Sequence, residues 1–489
     1  MLNYLLVPLY TRVFMTGEYG IVTELYAYVS FFNIIFTYGM ETAFFRYAEK
    51  EKNNPRVYST SLISIVTSSV SLTAIIILFS SPIAAWMNYH DGSDKMLPQY
   101  ISCFAAVLAL DAISAIPFAK LRQENKAFRF AFIKLIWIVV NVGLNFFFLI
   151  LCPKLENGSM HDLVLKVYDP AIGIGYVFYS NLAASAIVLL CLTPELFKTD
   201  FYFDKKLWST MIIYALPLMV AGFAGMVNET FDRIMLPRLI ADKSTALSQL
   251  GIYGACYKLS ILMSLFVQTF RYAAEPFFFS QASSDKAQQT YARVMHYFVL
   301  MCAFIFLSIM LYIDIVKVFI GKDFREGLAV VPILLMANLC LGVFYNLSIW
   351  YKLTHQTKWG AWMSVIGAAI TLILNFTLIP IMGYMGAAWT TLICYAAMML
   401  ISYFVGQKYY HVNYNTGSFF FFVSSALVIY FISVEIRSHF DVGRNGMLFI
   451  NSLFLLAFLL MAYLYERRKN SYIRIPKKNR TDGSKGAGF

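Results

Sequence analysis

Residues 38–45 read Tyr-Gly-Met-Glu-Thr-Ala-Phe-Phe, and residues 272–279 read Tyr-Ala-Ala-Glu-Pro-Phe-Phe-Phe. The likeness extends outward. An ungapped alignment of Tyr19–Ala48 with Tyr253–Ala282, at an offset of 234, gives eleven identities in thirty positions. They include Tyr19-Gly20 with Tyr253-Gly254, Phe32 with Phe266, and Glu41 with Glu275. A biased composition would match a few apolar positions by itself; paired glutamates inside apolar runs are harder to attribute to composition and point to an internal repeat. A weaker echo sets Leu144-Asn145-Phe146 against Leu374-Asn375-Phe376.

Both copies lie in apolar runs, and such runs fill the chain. Of 489 residues, 59% are apolar and 13% charged, with a mean hydropathy of +0.63. Soluble domains carry about 25% charged residues, so lipid is the main solvent here. Breaks at Pro, Gly and charge divide the chain into spans near 1–15, 20–42, 58–80, 98–119, 130–152, 171–193, 209–231, 250–270, 291–316, 328–351, 360–380, 384–406, 418–434 and 446–465. The repeat relates span two to span eight and span five to span eleven. A shift of six is even, so the copies run the same way across the membrane, a parallel repeat. The expected fold is therefore an all-α polytopic membrane protein of about fourteen transmembrane helices, two six-helix lobes plus two C-terminal helices. The expected divisions are 1–193 and 194–406 for the lobes, 407–465 for the added helices and 466–489 for a basic tail.

Span one is short. Fourteen helical residues cover about 21 Å, less than a hydrocarbon core of about 30 Å. It lacks the charged start and small-residue cleavage site of a signal peptide. It reads as the second half of a first membrane helix, with the natural start upstream, or as a helix that is truly short.

Most of the 39 Lys and Arg fall in loops after even-numbered spans and in the tail, as in Arg46-Lys50-Lys52-Arg56 and Lys120-Arg122-Lys126-Arg129. The positive-inside rule then places those loops and both termini in the cytoplasm. The net charge of +12 is thus topology information, and nucleic acid is not an expected partner. The seven cysteines form no CxxC pair and the six histidines no ligand spacing, so no metal site is expected. No Walker A motif is present, so ATP is not the direct energy source, and no cofactor is expected. Asn157-Gly158-Ser159 and Asp91-Gly92-Ser93-Asp94 read as polar turns. External loops this short leave no room for the catalytic acids of a glycosyltransferase or polymerase, so the chain is not expected to be an enzyme. The tail Arg467–Lys485 is expected to be disordered and to contact lipid headgroups.

The opening Leu5-Leu6-Val7-Pro8-Leu9-Tyr10-Thr11-Arg12, followed by Glu18-Tyr19-Gly20, resembles the N-terminal signature of Wzx-like polysaccharide flippases. These belong to the multidrug/oligosaccharidyl-lipid/polysaccharide (MOP) exporter superfamily. The resemblance covers almost the whole chain, except that the family's first helix normally begins earlier. It implies a bacterial inner-membrane transporter that moves undecaprenyl-pyrophosphate-linked oligosaccharide between leaflets by alternating access. It further implies lipid-linked oligosaccharide and membrane lipids as partners, and the polysaccharide polymerase machinery as another. A cation-coupled multidrug exporter and a lipid II flippase of the same superfamily stay open as alternatives.

Charges inside membrane spans are costly and mark cavities or partners. Here they concentrate in spans one, two, seven and eight. Arg12, Glu24, Glu229, Asp232, Arg233 and Lys258 form one layer, expected toward the periplasm as a substrate cavity. Glu41, Arg46, Arg271 and Glu275 form a second, expected to be a cytoplasmic gate. Offset 234 sets Glu24 against Lys258, an expected pair across the cavity. Glu229 and Arg233, like Arg271 and Glu275, share a helix face at i, i+4. Arginines suit a pyrophosphate because the guanidinium donates in pairs and stays charged when desolvated. The plainer alternatives are snorkelling for Arg12, Arg46 and Arg271 near span ends, and a structural charge cluster for Glu229, Asp232 and Arg233. Pro8 and Pro217 are expected to let their helices bend. The many aromatics are ordinary at membrane interfaces and assign no sugar platform.

Overall fold

Each of the apolar runs is helical in the computed structural model, which describes residues 3–51, 54–87, 96–156, 161–164, 166–197, 201–440 and 443–473. The Asp91–Asp94 turn, the Asn157–Ser159 sequon and most of the 466–489 tail lie outside those residues. The principal helices are α1 (Asn3–Val13), α2 (Thr16–Thr37), α3 (Met40–Lys50), α4 (Pro55–Leu78), α5 (Leu97–Gln123), α6 (Ala127–Phe146), α7 (Gly175–Cys191) and α8 (Lys205–Leu239). They continue with α9 (Lys243–Leu259), α10 (Ile261–Gln281), α11 (Ala287–Leu311), α12 (Val330–Leu347), α13 (Lys358–Met382), α14 (Tyr384–Tyr409), α15 (Thr416–His439) and α16 (Arg444–Ile473). Among the described residues, eleven helices are long and apolar enough to cross a membrane, or twelve when the pair α9–α10 counts as one span bent by 51°. The chain is thus an all-helical, multi-pass membrane protein. The expected fourteen exceeds that number because α1 and α7, at 11 and 17 residues, are too short for a straight crossing.

Local chemistry sets the helix ends. Asp204 caps α8 by accepting from the Lys206 and Leu207 amides, and Asn54 caps α4 ahead of Pro55. Asp242 caps α9, accepting from the Ser244 amide and hydroxyl, bonds that hold its carboxyl below the ordinary value. Tyr38 and Gly39 both adopt positive φ, 32° and 74°, and break α2 from α3. At Gly39 a Cβ would also stand 3.0 Å from the Ala215 carbonyl of α8. In the second copy the break falls at Ser260 instead, which aligns with Tyr26 and not with Gly39.

Contacts divide the chain into two units, Met1–Phe279 with Lys317–His411, and Ser280–Val316 with Val412–Phe489. In the first, α4 packs on α5, and α7 on both α5 and α6; α14 packs on α12 and α13, and α8 on α13. The copies meet where α2 crosses α9. That crossing is made by repeated glycines. A Cβ on Gly20 would come within 2.1 Å of the Leu247 carbonyl oxygen, and one on Gly251 within 1.9 Å of the Thr16 carbonyl oxygen. Gly254, the repeat of Gly20, faces Thr23 at 2.8 Å. Small residues allow backbones to touch, and in lipid that close packing is the main source of helix association.

The repeat extends to ion pairs. Glu41 pairs with Arg122 at the end of α5, and Glu275 pairs with Lys352 at 2.8 Å, just past α12. Spans four and ten are themselves related by the shift of six. Each copy therefore ties the end of its second helix to the end of its fourth by the same contact. Both pairs are partly exposed, so each contributes little stability, about 0–1 kcal/mol.

The second unit joins α11, α15 and α16. Along α16, Met447, Asn451, Phe458 and Ala462 are buried while Phe449, Leu453, Leu456, Leu460 and Tyr463 are exposed. Helical period separates the two faces although both are largely apolar, as befits a helix against lipid. Polar clasps join the three helices. Asn451 donates to the Leu311 carbonyl at 2.6 Å and accepts from Ser433 at 2.8 Å, and buried His296 meets Glu466. The α16 helix runs past the expected end at 465 to Ile473.

The Thr16 and Ser248 hydroxyls lie 3.1 Å apart across the α2–α9 crossing. A Thr16→Cys/Ser248→Cys protein should therefore form an intramolecular disulfide on mild oxidation. Adding Gly251→Leu should abolish it, read as loss of the gel-mobility shift, because the larger side chain separates the two backbones.

Candidate functional site

The chemistry gathers on α8, which carries Glu229, Asp232, Arg233 and Arg238 within three turns. The sequence-based span stops at 231, but the helix continues through Pro237 to Leu239. Each of these side chains has a different fate. Asp232 is buried and accepts from the Tyr253 hydroxyl of α9 at 2.5 Å. Arg233 lies over the Tyr257 ring, 4.2 Å from its centre. Arg238 reaches Glu24 of α2 at 2.6 Å and also lies 4.7 Å over Trp86. Glu229 is exposed and lines a separate cavity that also has Tyr257 in its wall.

Arg233 and Lys258 face a cavity of about 200 Å³, walled by Tyr10 of α1, Tyr19, Thr23 and Tyr26 of α2, and Tyr257 of α9. No Asp or Glu is among its described lining residues. The tyrosines are held by neighbours: Tyr10 donates to Asn145 at 2.9 Å, and Tyr26 accepts from Asn181 at 3.1 Å. Two cations ringed by hydroxyls, with Asp232 held by Tyr253 and Glu24 by Arg238, have the chemistry to receive a multiply charged anion. Arg233 offers paired donors and Lys258 a compact point charge.

The first predicted layer is thus only partly brought together. Arg233 and Lys258 share the cavity. Glu24 is fully buried behind it and pairs with Arg238 rather than with Lys258. Arg12 is exposed, donating to the Pro8 and Val318 carbonyls at 2.7 and 2.8 Å, and is absent from the cavity wall. In the second layer, Glu41 and Glu275 take the repeated ion pairs. Arg46 lies 4.2 Å over Tyr214, and Arg271 lies 4.5 Å over Tyr345. The i, i+4 partners thus diverge, Arg271 to a ring and Glu275 to Lys352. A small cavity of about 20 Å³ between them is lined by Arg271, Glu275, Tyr345 and Lys352.

Residues beyond the sequence reading complete the site. Arg238 was legible only as a loop cation, because Pro237 reads as a helix stop although the helix passes through it. Tyr10, Tyr19 and Tyr26 carry no sequence signal that separates them from interfacial tyrosines. A second cavity, of about 110 Å³, has Glu229, Gln268, Asn338, Tyr345 and Tyr395 in its wall and shares Tyr257 with the first.

Residues 1–282 match the model of the polysaccharide biosynthesis protein family. The chain belongs to that family. The Wzx-like resemblance of the opening motif is borne out by this match. The fold is similar to that of the lipid II flippase MurJ in an inward closed conformation, with a TM-score of 0.71 at 15% identity over 96% of each chain. It is also similar to an inward-facing multidrug resistance MATE family transporter of the MOP superfamily, TM-score 0.65 at 12% identity, over 83% of this chain and 97% of that one. A variant of the Vibrio cholerae MATE transporter VcmN matches at 0.57 and 11% identity, over 83% and 92%. None of the curated proteins matches the chain. This member of the polysaccharide biosynthesis family therefore has the MOP transporter fold.

Glu24 is fully enclosed, whereas the Arg238 side chain is 28% exposed. Arg238→Ala strands a buried anion and should cost about 3 kcal/mol. Glu24→Ala leaves a cation that can reach water and should cost less. Thermal unfolding of the purified variants in detergent should place Arg238→Ala below Glu24→Ala, and the reverse order would contradict this account of the pair.

Proposed function

We propose that the protein flips undecaprenyl-pyrophosphate-linked oligosaccharide repeat units from the cytoplasmic to the periplasmic leaflet of the bacterial inner membrane. The product would feed surface polysaccharide synthesis (O-antigen, capsule or exopolysaccharide), with the polymerase machinery acting next. One observation carries the reading: a cavity bearing Arg233 and Lys258, with no carboxylate among its described lining residues, in a polysaccharide biosynthesis family member. A pyrophosphate is the part of such a substrate that the membrane resists most strongly. Paired guanidinium donors and an ammonium replace its water. The lipid tail stays in the bilayer while the headgroup crosses. With even-numbered loops and both termini cytoplasmic, the glycine crossing of α2 and α9 closes the periplasmic end in this conformation. Transport then needs that crossing to part, which is alternating access between the two copies. Glu41, Arg46, Arg271 and Glu275 would act at the cytoplasmic end.

A lipid II flippase is the second reading, favoured by the full-length likeness to MurJ where the MATE transporters cover less. Lipid II carries the same pyrophosphate, so the cavity alone does not separate the two.

Deleting the gene should leave undecaprenyl-linked oligosaccharide on the cytoplasmic face and remove surface polysaccharide, measured by a leaflet-resolved assay. Re-expressing Arg233→Ala or Lys258→Ala should restore less than a tenth of wild-type polysaccharide at equal membrane abundance, because each removes a charge-assisted contact to phosphate. Intact polysaccharide after deletion, together with rescue of cells depleted of lipid II flipping, would move the assignment to the second reading.

A further inference from the structure

The cavity beside the cationic one differs from it in chemistry. It is walled by Glu229, Gln268 and Asn338 and by the rings of Tyr257, Tyr345 and Tyr395, and no Lys or Arg is among its described lining residues. Two of these groups are free to bind. Asn338 is committed to Ser264 at 2.8 Å and to the Leu334 carbonyl at 2.8 Å. Glu229 and Gln268 make no hydrogen bond or ion pair among the described residues. An anion would meet the Glu229 carboxylate with no Lys or Arg among the described wall residues to offset it, although Arg233 and Lys258 act on Glu229 from the neighbouring cavity, so this wall disfavours an anion. An apolar guest would displace water from that carboxylate and the Gln268 amide and leave both without partners, at a cost. What remains is a neutral ligand that donates and accepts hydrogen bonds on its edge and presents C–H groups on its face. A sugar ring has that chemistry: adjacent hydroxyls donate to one carboxylate and accept from an amide, and its faces pack on aromatic rings.

Position supports the assignment. The two cavities share Tyr257 as a wall. Glu229 and Arg233 stand one helical turn apart on α8, about 6 Å along the axis. In a sugar pyrophosphate the first ring is joined directly to the diphosphate, so the neutral and anionic parts adjoin at this scale. Arg233 over Tyr257 and Arg271 over Tyr345 hold two of the rings in place.

We infer that this cavity is the sugar subsite, with Glu229 and Gln268 as its recognition groups and the Arg233–Lys258 cavity taking the pyrophosphate. The inference rests on the flippase reading and adds which residues tell a loaded carrier from an empty one. Losing a charged hydrogen bond to a hydroxyl corresponds to about a tenfold change in affinity.

The test uses the full-length protein in detergent and two probes, extracted undecaprenyl-pyrophosphate-linked oligosaccharide and sugar-free undecaprenyl pyrophosphate. Wild type should bind the loaded lipid at least about tenfold tighter. Glu229→Gln and Gln268→Leu should each remove most of that difference, while affinity for the sugar-free lipid stays within about twofold. Arg233→Gln should weaken both probes. Equal wild-type affinity for the two lipids overturns the subsite alone, as do variants that keep the full difference. A sodium dependence of binding that Glu229→Gln abolishes, with sugar discrimination intact, also overturns it and makes the cavity a cation site. A wild type that binds neither probe overturns the flippase reading and this subsite with it.

Discussion

The rest of the structure depends on backbone contact between α2 and α9. Lipid gives apolar helices little reason to prefer one another over acyl chains, so association must come from close fit and a few polar contacts. Gly20 and Gly251 provide the fit, each lying against a carbonyl of the facing helix with no room for a methyl group. The contact is doubled by the repeat, since Gly254 is the counterpart of Gly20 and Gly251 that of Gly17. It brings Tyr19, Thr23 and Tyr26 on one helix opposite Tyr257 and Lys258 on the other. A looser crossing would leave those groups on separate walls.

Around that contact, the charges sort by whether they have found a partner. Glu24 with Arg238, and Asp232 with Tyr253, are satisfied and enclosed. Glu41 and Glu275 are tied within their own copies. Arg233 and Lys258 remain directed at a cavity, and Glu229 at its neighbour. In a membrane interior an ionised group without a protein partner is unfavourable unless water or a ligand occupies the space before it. Under the proposed function these charges are where the substrate's own groups would bind, Arg233 and Lys258 in one cavity and Glu229 in the neighbour that shares Tyr257.

Much of this was legible in the sequence, for reasons of period and spacing. The apolar runs gave the crossing helices, and offset 234 gave the copies that meet. Paired Glu41 and Glu275 proved to be equivalent residues in equivalent ion pairs, although neither cation could be read, because Arg122 and Lys352 sit at an offset of 230 and look like ordinary topogenic charges. The expected Glu24–Lys258 pair shows why alignment is weaker than packing. Equivalent positions in a duplicated bundle lie at equal depth, yet Glu24 turns to α8, where Arg238 continues a helix that Pro237 appears to end. Tyr10 and Tyr19 were unreadable because their role comes from tertiary neighbours and not from composition. The lengths of α1 and α7 set the limit on counting spans by hydropathy alone.

The two copies also bend in different places, at Tyr38–Gly39 in one and at Ser260 in the other. A bend acts as a pivot, and the pivot at Ser260 lies two residues beyond Lys258. Glu275 stands fifteen residues beyond that pivot, a lever arm of about 22 Å. Each 10° of change in the 51° angle would carry Glu275 through about 4 Å, by that arm length, while Lys258 stays nearly fixed. In the first copy the pivot lies immediately before Glu41, so the same rotation barely moves it. The duplicated helices are thus built with opposite gearing: rotation at the bend would swing the far end of one about the cavity and would leave the far end of the other in place.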